Sequence, residues 1–168
     1  QNTALCVQVC LMRAAVIGLG LIGASLARAL KNCGYEIYGY DISEEVCRRA
    51  AEDGLISEKA EKEKLSECQL LFIALYPGDV LEFLSANAVY ISRGALAVDC
   101  AGVKRAVCAG AEKIARENGF IFIGGHPMAG REHSGYAFSD GGLFKGASML
   151  LTPPEDMDGG IIEKLKEL

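Results

Sequence analysis

Three glycines at a fixed spacing are the first residues of this sequence whose pattern implies chemistry. Gly18, Gly20 and Gly23 form the pattern G-x-G-x-x-G between a short apolar run and an amphipathic stretch. In that context the first glycine permits a tight turn, the second lets the backbone approach a pyrophosphate, and the third lets a helix pack closely on a strand. The N–H groups of Leu21 and Ile22 would then face the anion. A plain glycine-rich turn is the alternative interpretation.

A carboxylate follows at the distance that a dinucleotide site requires. Asp41 lies 18 residues beyond Gly23, at the end of the second predicted strand. A carboxylate there can accept hydrogen bonds from an adenosine ribose and repels a 2′-phosphate, so it favours NAD over NADP. The alternative is that Asp41 only shapes the turn before a helix that Ser43 caps.

The second centre of predicted chemistry is His126. The run FIFIGGHPMAG, residues 120–130, leads an apolar strand into two glycines and a histidine that Pro127 holds in extended geometry. Ligands of open α/β sheets bind beyond the carboxyl ends of the strands, and a free imidazole titrates near neutral pH. His126 is therefore predicted to accept a proton from a substrate hydroxyl, with a purely structural histidine as the alternative.

Four weaker candidates for substrate contacts accompany His126. Gly102 and Lys104 follow a predicted strand that ends at Asp99, so their backbone should line the same crevice. Lys104 could hold an acidic substrate, although most lysines are merely solvated. His133 and Arg131 lie in a charged segment, where solvated side chains of a surface loop are the alternative.

Tyr76 and Pro77 follow a continuous apolar run, 70–75, that is typical of a strand buried on both faces. Topology alone predicts that these two residues pass the nicotinamide side of the cofactor.

Elements that could position these residues alternate along the chain. Apolar runs of strand length are predicted at 14–18, 36–41, 70–75, 95–99, 120–123 and 147–152. Helices are predicted at 21–32, 43–53, 58–67, 79–91, 103–118 and 161–168, and a glycine-rich loop at 124–146. This alternation predicts an α/β fold of the Rossmann type, a doubly wound, mostly parallel sheet with helices on both faces.

The composition of the chain argues against several classes of binding partner. The 168 residues carry a net charge of −5, which argues against nucleic acid and anionic membranes as partners. No apolar run reaches the roughly 18 residues needed to span a bilayer. Seven scattered cysteines without a C-x-x-C pair, together with only two histidines, predict buried apolar thiols in a reducing cytoplasm and no metal site.

The domain organisation is predicted to be simple. Residues 1–11 are interpreted as an N-terminal extension outside the domain, with Met12 as the natural start. Residues 12–168 are interpreted as one nucleotide-binding domain that is incomplete at its C-terminus, because a terminal helix of this topology normally leads into a further strand.

Three segments together resemble the prephenate/arogenate dehydrogenase family. They are VIGLGLIGASL at 16–26, GGHPMAG at 124–130, and Ser134-Gly135 followed by LFKGA at 143–147. The first is shared by many dehydrogenases, whereas the histidine segment with its downstream LFKGA is far more specific. The resemblance covers residues 12–168.

The resemblance implies an activity. Members of the family use NAD to oxidise and decarboxylate prephenate or arogenate to 4-hydroxyphenylpyruvate or tyrosine, in tyrosine biosynthesis. Their catalytic histidine falls on His126. They also carry a helical C-terminal domain that forms a homodimer and supplies substrate-binding residues. None of that domain is present here, so the fragment is expected to bind NAD and to turn over poorly, if at all.

One residue departs from the family, and two other functions stay open. Many members have serine in a Gly-Ser-Val-Lys segment, where this chain has Gly102. Gly102 offers no hydroxyl, so orientation of His126 or of the nicotinamide by a serine is not expected at this position. The alternatives are another NAD-dependent dehydrogenase of the β-hydroxyacid type, or a non-catalytic dinucleotide-binding module.

Overall fold

A computed structural model describes residues 12–166. Its centre is a seven-stranded sheet with the order β3-β2-β1-β4-β5-β6-β7, in which every neighbouring pair is parallel except β6 and β7. The predicted Rossmann-type fold is confirmed. The strands are β1 (Arg13–Ile17), β2 (Glu36–Tyr40), β3 (Glu58–Lys59), β4 (Leu70–Ile73), β5 (Leu96–Asp99), β6 (Ile121–Pro127) and β7 (Met149–Thr152).

Helices connect the parallel strands, as the sequence predicts. They are α1 (Leu21–Asn32), α2 (Glu44–Glu52), α3 (Lys62–Leu65), α4 (Pro77–Asn87), α5 (Cys108–Asn118) and α6 (Gly159–Lys166), with single 3₁₀ turns at Ala88–Tyr90 and Tyr136–Phe138. Ser43 caps α2 by accepting a hydrogen bond from the N–H of Val46 at 3.4 Å. Gly119 ends α5 at φ 82°, a left-handed conformation that glycine adopts without strain.

The core has two layers because successive side chains of a strand point to opposite faces of the sheet. In β4, Leu71 and Ile73 join the cluster beneath α4 and α5, whereas Leu70 and Phe72 join the cluster beneath α1 and α2. All four residues of β4 are buried. A strand buried on both faces gives the continuous apolar run seen in the sequence.

Two helix predictions are wrong. Residues 58–67 do not form one helix, because β3 adds to the sheet edge beside Tyr38 and Gly39 before the short α3 begins. The helix predicted at 103–118 begins only at Cys108. The residues before it form a loop that the Lys104 side chain ties to the sheet.

The loop predicted from residue 124 is also wrong at its start. β6 continues to Pro127 because β7 pairs with it antiparallel, with His126 opposite Leu150. The parallel pairing with β5 ends at Gly124, opposite Asp99. His126 therefore extends two residues beyond the parallel part of the sheet, at its carboxyl edge.

The link between β6 and β7, residues 128–148, is called the strap here. It leaves β6 and packs on α1. Tyr136 of the strap is buried among the core residues beneath that helix. The N–H of Asp140 donates to the buried Ser25 hydroxyl at 2.9 Å. The Arg28 Nε donates to Ser139 Oγ at 3.0 Å. The strap thus joins the strand that carries His126 to the helix that follows the glycine turn.

Candidate active site

The glycine turn between β1 and α1 requires two of its three glycines, Gly18 and Gly23, for steric reasons. Gly18 has φ 89°, and a Cβ there would lie 2.5 Å from the carbonyl oxygen of Ala74. A Cβ on Gly23 would lie 1.8 Å from the carbonyl oxygen of Gly18. By contrast, a Cβ on Gly20 would meet nothing within 4 Å, so this residue faces open space. The backbone at Gly20 is accordingly accessible to a ligand.

The N-terminus of α1 is suited to an anion. Gly20 is its N-cap residue and provides no side-chain hydrogen bond to the helix, and the first turn contains no acidic residue. The helix dipole and the first N–H groups are therefore not neutralised by a capping side chain. Leu21 and Ile22 occupy this first turn, where the sequence predicts them.

Asp41 bridges the glycine turn and α2. One carboxylate oxygen, Oδ2, accepts a hydrogen bond from the N–H of Leu19 at 2.8 Å, and Oδ1 accepts one from the N–H of Ser43 at 2.9 Å. The turn-forming role considered for Asp41 is thus present in the structure. A carboxylate has about four acceptor sites, so both oxygens can still accept from a ribose, and that role stays a prediction.

His126 lies with one edge of its imidazole against the loop after β5. A Cβ on Gly102 would be 3.3 Å from Cε1 and 3.7 Å from Nδ1 of the ring. The Nδ1 atom is buried and has no hydrogen-bond partner among residues 12–166. A side chain at position 102 is therefore the natural source of a partner, and glycine offers none.

Beside the imidazole lies a buried ion pair that the sequence did not reveal. Asp99, whose side chain is fully buried, accepts two hydrogen bonds from the Lys104 ammonium at 2.6 and 2.5 Å. The same ammonium donates to the carbonyl oxygen of Gly125 at 2.5 Å. The signal in the sequence was an aspartate ending an apolar strand, because a charge in such a place requires a partner.

This arrangement changes the interpretation of Lys104. Its three ammonium protons all point to acceptors inside the protein, and its side chain is only 20% exposed. The ammonium is not the solvated group that one alternative assumed. A direct contact with a substrate carboxylate would require it to leave Asp99.

Other candidates lie farther along the same edge or in the strap. Tyr76, 82% exposed, is the N-cap residue of α4, and Pro77 is the first residue of that helix. His133 stacks on the ring of Phe138, with 4.9 Å between ring centroids. Arg131 forms an ion pair with Asp140. The cofactor and substrate contacts predicted for Tyr76, Pro77 and His133 stay predictions.

Topology brings most of these residues to one crevice. β1 has β2 on one side and β4 on the other, so the order of strands reverses at β1, which is where ligands bind in open α/β sheets. The carboxyl ends of β1, β2, β4, β5 and β6 carry, respectively, the glycine turn, Asp41, Tyr76, Gly102 and His126. Within the described part of the chain, no cluster of His, Cys, Asp and Glu could hold a metal ion.

Comparison with known proteins identifies the family of this chain. The family model "Prephenate dehydrogenase, nucleotide-binding domain" matches residues 26–168. Prephenate dehydrogenase of Bacillus subtilis (strain 168) is 35% identical over 156 residues, which cover 90% of this chain and 42% of that protein. This chain therefore spans less than half of that relative's length.

Solved structures of related enzymes support the same family assignment. Synechocystis arogenate dehydrogenase superposes with a TM-score of 0.85 at 32% identity, covering 93% of this chain and 55% of that one. Prephenate dehydrogenase from Aquifex aeolicus, in complex with hydroxyphenyl propionate and NAD+, superposes with a TM-score of 0.82 at 27% identity, covering 95% and 57%. With a family model that matches most of its length, the chain belongs to the prephenate dehydrogenase family, in the nucleotide-binding domain.

Proposed function

We propose that this protein takes part in the NAD-dependent oxidative decarboxylation of prephenate or arogenate, to 4-hydroxyphenylpyruvate or tyrosine, in tyrosine biosynthesis. The observation that carries the proposal is the position of His126, beyond the parallel sheet at the edge that also carries the glycine turn. Membership of the family supplies the reaction class, and its relatives bear the names of both activities.

The cofactor site follows from the glycine turn. The open backbone at Gly20 and the uncapped N-terminus of α1 would receive the pyrophosphate, and Asp41 the adenosine ribose. Tyr76 and Pro77, on the next strand toward His126, would pass the nicotinamide side. When bound, NAD supplies the acceptor for a hydride from the ring carbon that bears the substrate hydroxyl.

The carboxylate of Asp41 and the pairing of two cations that follow it in the sequence favour NAD over NADP. Arg48 is held in ion pairs with Glu45 and Glu52, and the Lys59 ammonium lies 2.5 Å from a Glu44 carboxylate oxygen. These cations are already paired, and the carboxylate of Asp41 would repel a 2′-phosphate. We therefore propose NAD as the physiological coenzyme.

The role of His126 follows from the orientation of its ring. Because the Nδ1–Cε1 edge faces Gly102, Nε2 is the nitrogen proposed to face the substrate. Nε2 would take the hydroxyl proton as the hydride leaves the same carbon, which produces a ketone conjugated with the rest of the ring. The carboxylate then departs as carbon dioxide and leaves its electron pair to complete the aromatic ring. Gly102 and His133 are proposed to line the substrate space.

A paired substitution tests this proposal. In the complete protein, His126→Asn should lower kcat for prephenate or arogenate by roughly 10²–10⁴-fold, the usual contribution of a general base. NAD+ affinity by titration calorimetry should stay the same, because the glycine turn and Asp41 are untouched. His133→Asn, at the other histidine of the chain, is the comparison: a residue that only lines the substrate space should alter KM and leave kcat near the wild-type value. Near-normal turnover by the His126→Asn protein would remove the base from the mechanism.

Only a shared fold supports the alternative function, that of a dehydrogenase of the β-hydroxyacid type. A 3-hydroxyisobutyrate dehydrogenase from Mycobacterium tuberculosis superposes with a TM-score of 0.65 at 18% identity over 71% of this chain, which shows a shared fold only. A non-catalytic nucleotide-binding module would bind NAD+ and show no turnover that depends on His126. The calorimetry and the kinetics described above separate these outcomes.

Assembly and compartment are also proposals. By analogy with the family, the complete protein is proposed to be a homodimer formed through a helical C-terminal domain. The cytoplasm is proposed as its compartment, in keeping with the five free cysteines among the described residues. Burial raises the pKa of Cys68 and of Cys100 to about 12, so both remain protonated thiols at neutral pH. No helix in residues 12–166 is long and apolar enough to cross a membrane.

A further inference from the structure

We propose that the buried Asp99–Lys104 ion pair positions the imidazole of His126, and that Lys104 is a positioning residue and not a ligand of the substrate. The inference rests on the proposed function, because it concerns the histidine that carries that function. It assigns a task to two residues that need not touch the substrate at all.

The carboxylate of Asp99 holds two backbone segments together. Asp99 Oδ1 accepts a hydrogen bond from the N–H of Gly125 at 3.0 Å, and Oδ2 accepts one from the N–H of Ala101 at 3.1 Å. Gly125 directly precedes His126, and Ala101 directly precedes Gly102, the residue against the ring. The carboxylate therefore sets the distance between the histidine and the surface on which its ring rests.

Lys104 completes this arrangement. Its ammonium bonds both oxygens of Asp99 and also the carbonyl oxygen of Gly125, so Gly125 is held at its N–H and at its C=O. A fully buried carboxylate needs a charged partner, and Lys104 is the cation that faces it. Removing the ammonium would free one backbone bond of β6 and leave Asp99 with an unpaired charge.

The imidazole of His126 also lacks a hydrogen bond at Nδ1 among the described residues. This Nδ1 atom is buried, and a Cβ at position 102 would lie 3.3 Å from Cε1, so with glycine there position 102 has no side chain to hold that edge of the ring. An imidazole that is not held by its own hydrogen bond depends on the backbone on either side. A misplacement of about 1 Å can cost roughly 10²-fold in rate.

The test compares Lys104→Met, which keeps most of the side-chain length but removes the charge, with wild type. In the 168-residue chain, nuclear magnetic resonance should show a weaker Overhauser contact between the His126 Cε1 proton and the Gly102 α protons. The His133 ring signals serve as an internal reference and should not change. Where the protein turns over prephenate, kcat should fall by roughly 10²-fold with little change in KM. Lys113→Met, on the exposed face of α5, is the matched control.

A second variant covers the case in which Lys104→Met fails to fold. Asp99→Asn combined with Lys104→Met removes both charges, and the asparagine can still accept one backbone hydrogen bond. This double variant should fold and show the same weakened ring contact, because the Lys104 bond to Gly125 is gone.

Three outcomes distinguish a positioning role of Lys104 from the alternatives. A raised KM with the ring contact and kcat preserved would make Lys104 a substrate ligand and overturn the inference. An unchanged ring contact in the double variant would overturn it too, since the pair would then serve stability alone. A displaced ring in the Lys104→Met chain, together with a complete wild-type protein that turns over neither prephenate nor arogenate, would support the positioning role while the proposed function fails.

Discussion

Asp41 holds the glycine turn and is proposed to bind the ribose as well, and these two tasks can be tested separately. Its oxygens already hold the N–H groups of Leu19 and Ser43, so the residue stabilises the turn before any ribose arrives. The ribose would use acceptor sites that those two bonds leave open. A substitution at this position therefore affects folding and binding together, and a control must distinguish the two.

Asp41→Ala is expected to weaken NAD+ binding by roughly 1–3 kcal/mol, since polar groups on both partners lose their bonds. Titration calorimetry measures the change. Ser43→Ala removes the cap of α2 and should lower the free energy of unfolding by roughly 0.5–2 kcal/mol while leaving the carboxylate in place, so NAD+ affinity should persist. Equal affinity of wild type and Asp41→Ala would show that the carboxylate serves the turn only.

Some residues of the site could be predicted from the sequence, and others could not. Gly23 was predictable because a Cβ there would clash within its own turn, with the carbonyl oxygen of Gly18, and the G-x-G-x-x-G spacing identified Gly18 with it. The Lys104 partnership was not, because the carbonyl oxygen it contacts belongs to Gly125, 21 residues away in the chain. A lysine after a strand gives no local sign of whether it faces solvent or a buried carboxylate.

At the level of elements, the same distinction between local and distant causes holds. α1 was predicted with the bounds it has, because its apolar spacing and Gly34 lie within its own sequence. β6 was predicted to end at Ile123, but pairing with β7 extends it to Pro127. β3 was predicted as helix because its charged residues are typical of a solvated helix, whereas pairing with β2 decides its structure.

The strap provides a prediction at this scale. The Tyr136 hydroxyl donates to Asp53 Oδ2 at 2.8 Å, and the Arg28 guanidinium carbon lies 5.5 Å from the ring centroid. Tyr136→Phe should lower the free energy of unfolding at neutral pH by about 1 kcal/mol, the net value of one hydrogen bond. Phe138→Leu, a change at an exposed neighbour in the strap, is the control and should have little effect. Denaturant titration measures both.

The alkaline behaviour of Tyr136 adds a second expectation for the same variant. Burial, and then the hydrogen bond to Asp53, raises the pKa of Tyr136 to about 12. An unfolded tyrosine titrates near pH 10, so its contribution is complete below about pH 10 and declines as the pH rises toward 12. The stability difference between wild type and Tyr136→Phe should therefore shrink over that range. A difference that stays constant up to pH 12 would contradict the assigned burial.

At the scale of the whole molecule, ligand binding is linked to stability. A ligand that binds only the folded state at 100 times its Kd adds about 2.7 kcal/mol to the free energy of unfolding. For a domain of this size that corresponds to a rise in Tm of roughly 5–11 °C. NAD+ should produce such a rise in the 168-residue chain, and NADP+ at the same concentration a smaller one. An equal response to both would argue against Asp41 as the discriminating group.

The strap has a consequence for how such a protein can change. Because the segment that continues from β6, the strand of His126, is hydrogen-bonded to α1 through Ser25 and Arg28, the two sides of the crevice are linked to each other. A graft that exchanged residues 128–148 with those of a distant relative would carry the anchor points of the nucleotide helix along with it. Recombination that keeps activity should therefore exchange α1 and the strap together, so that they are inherited as a single block.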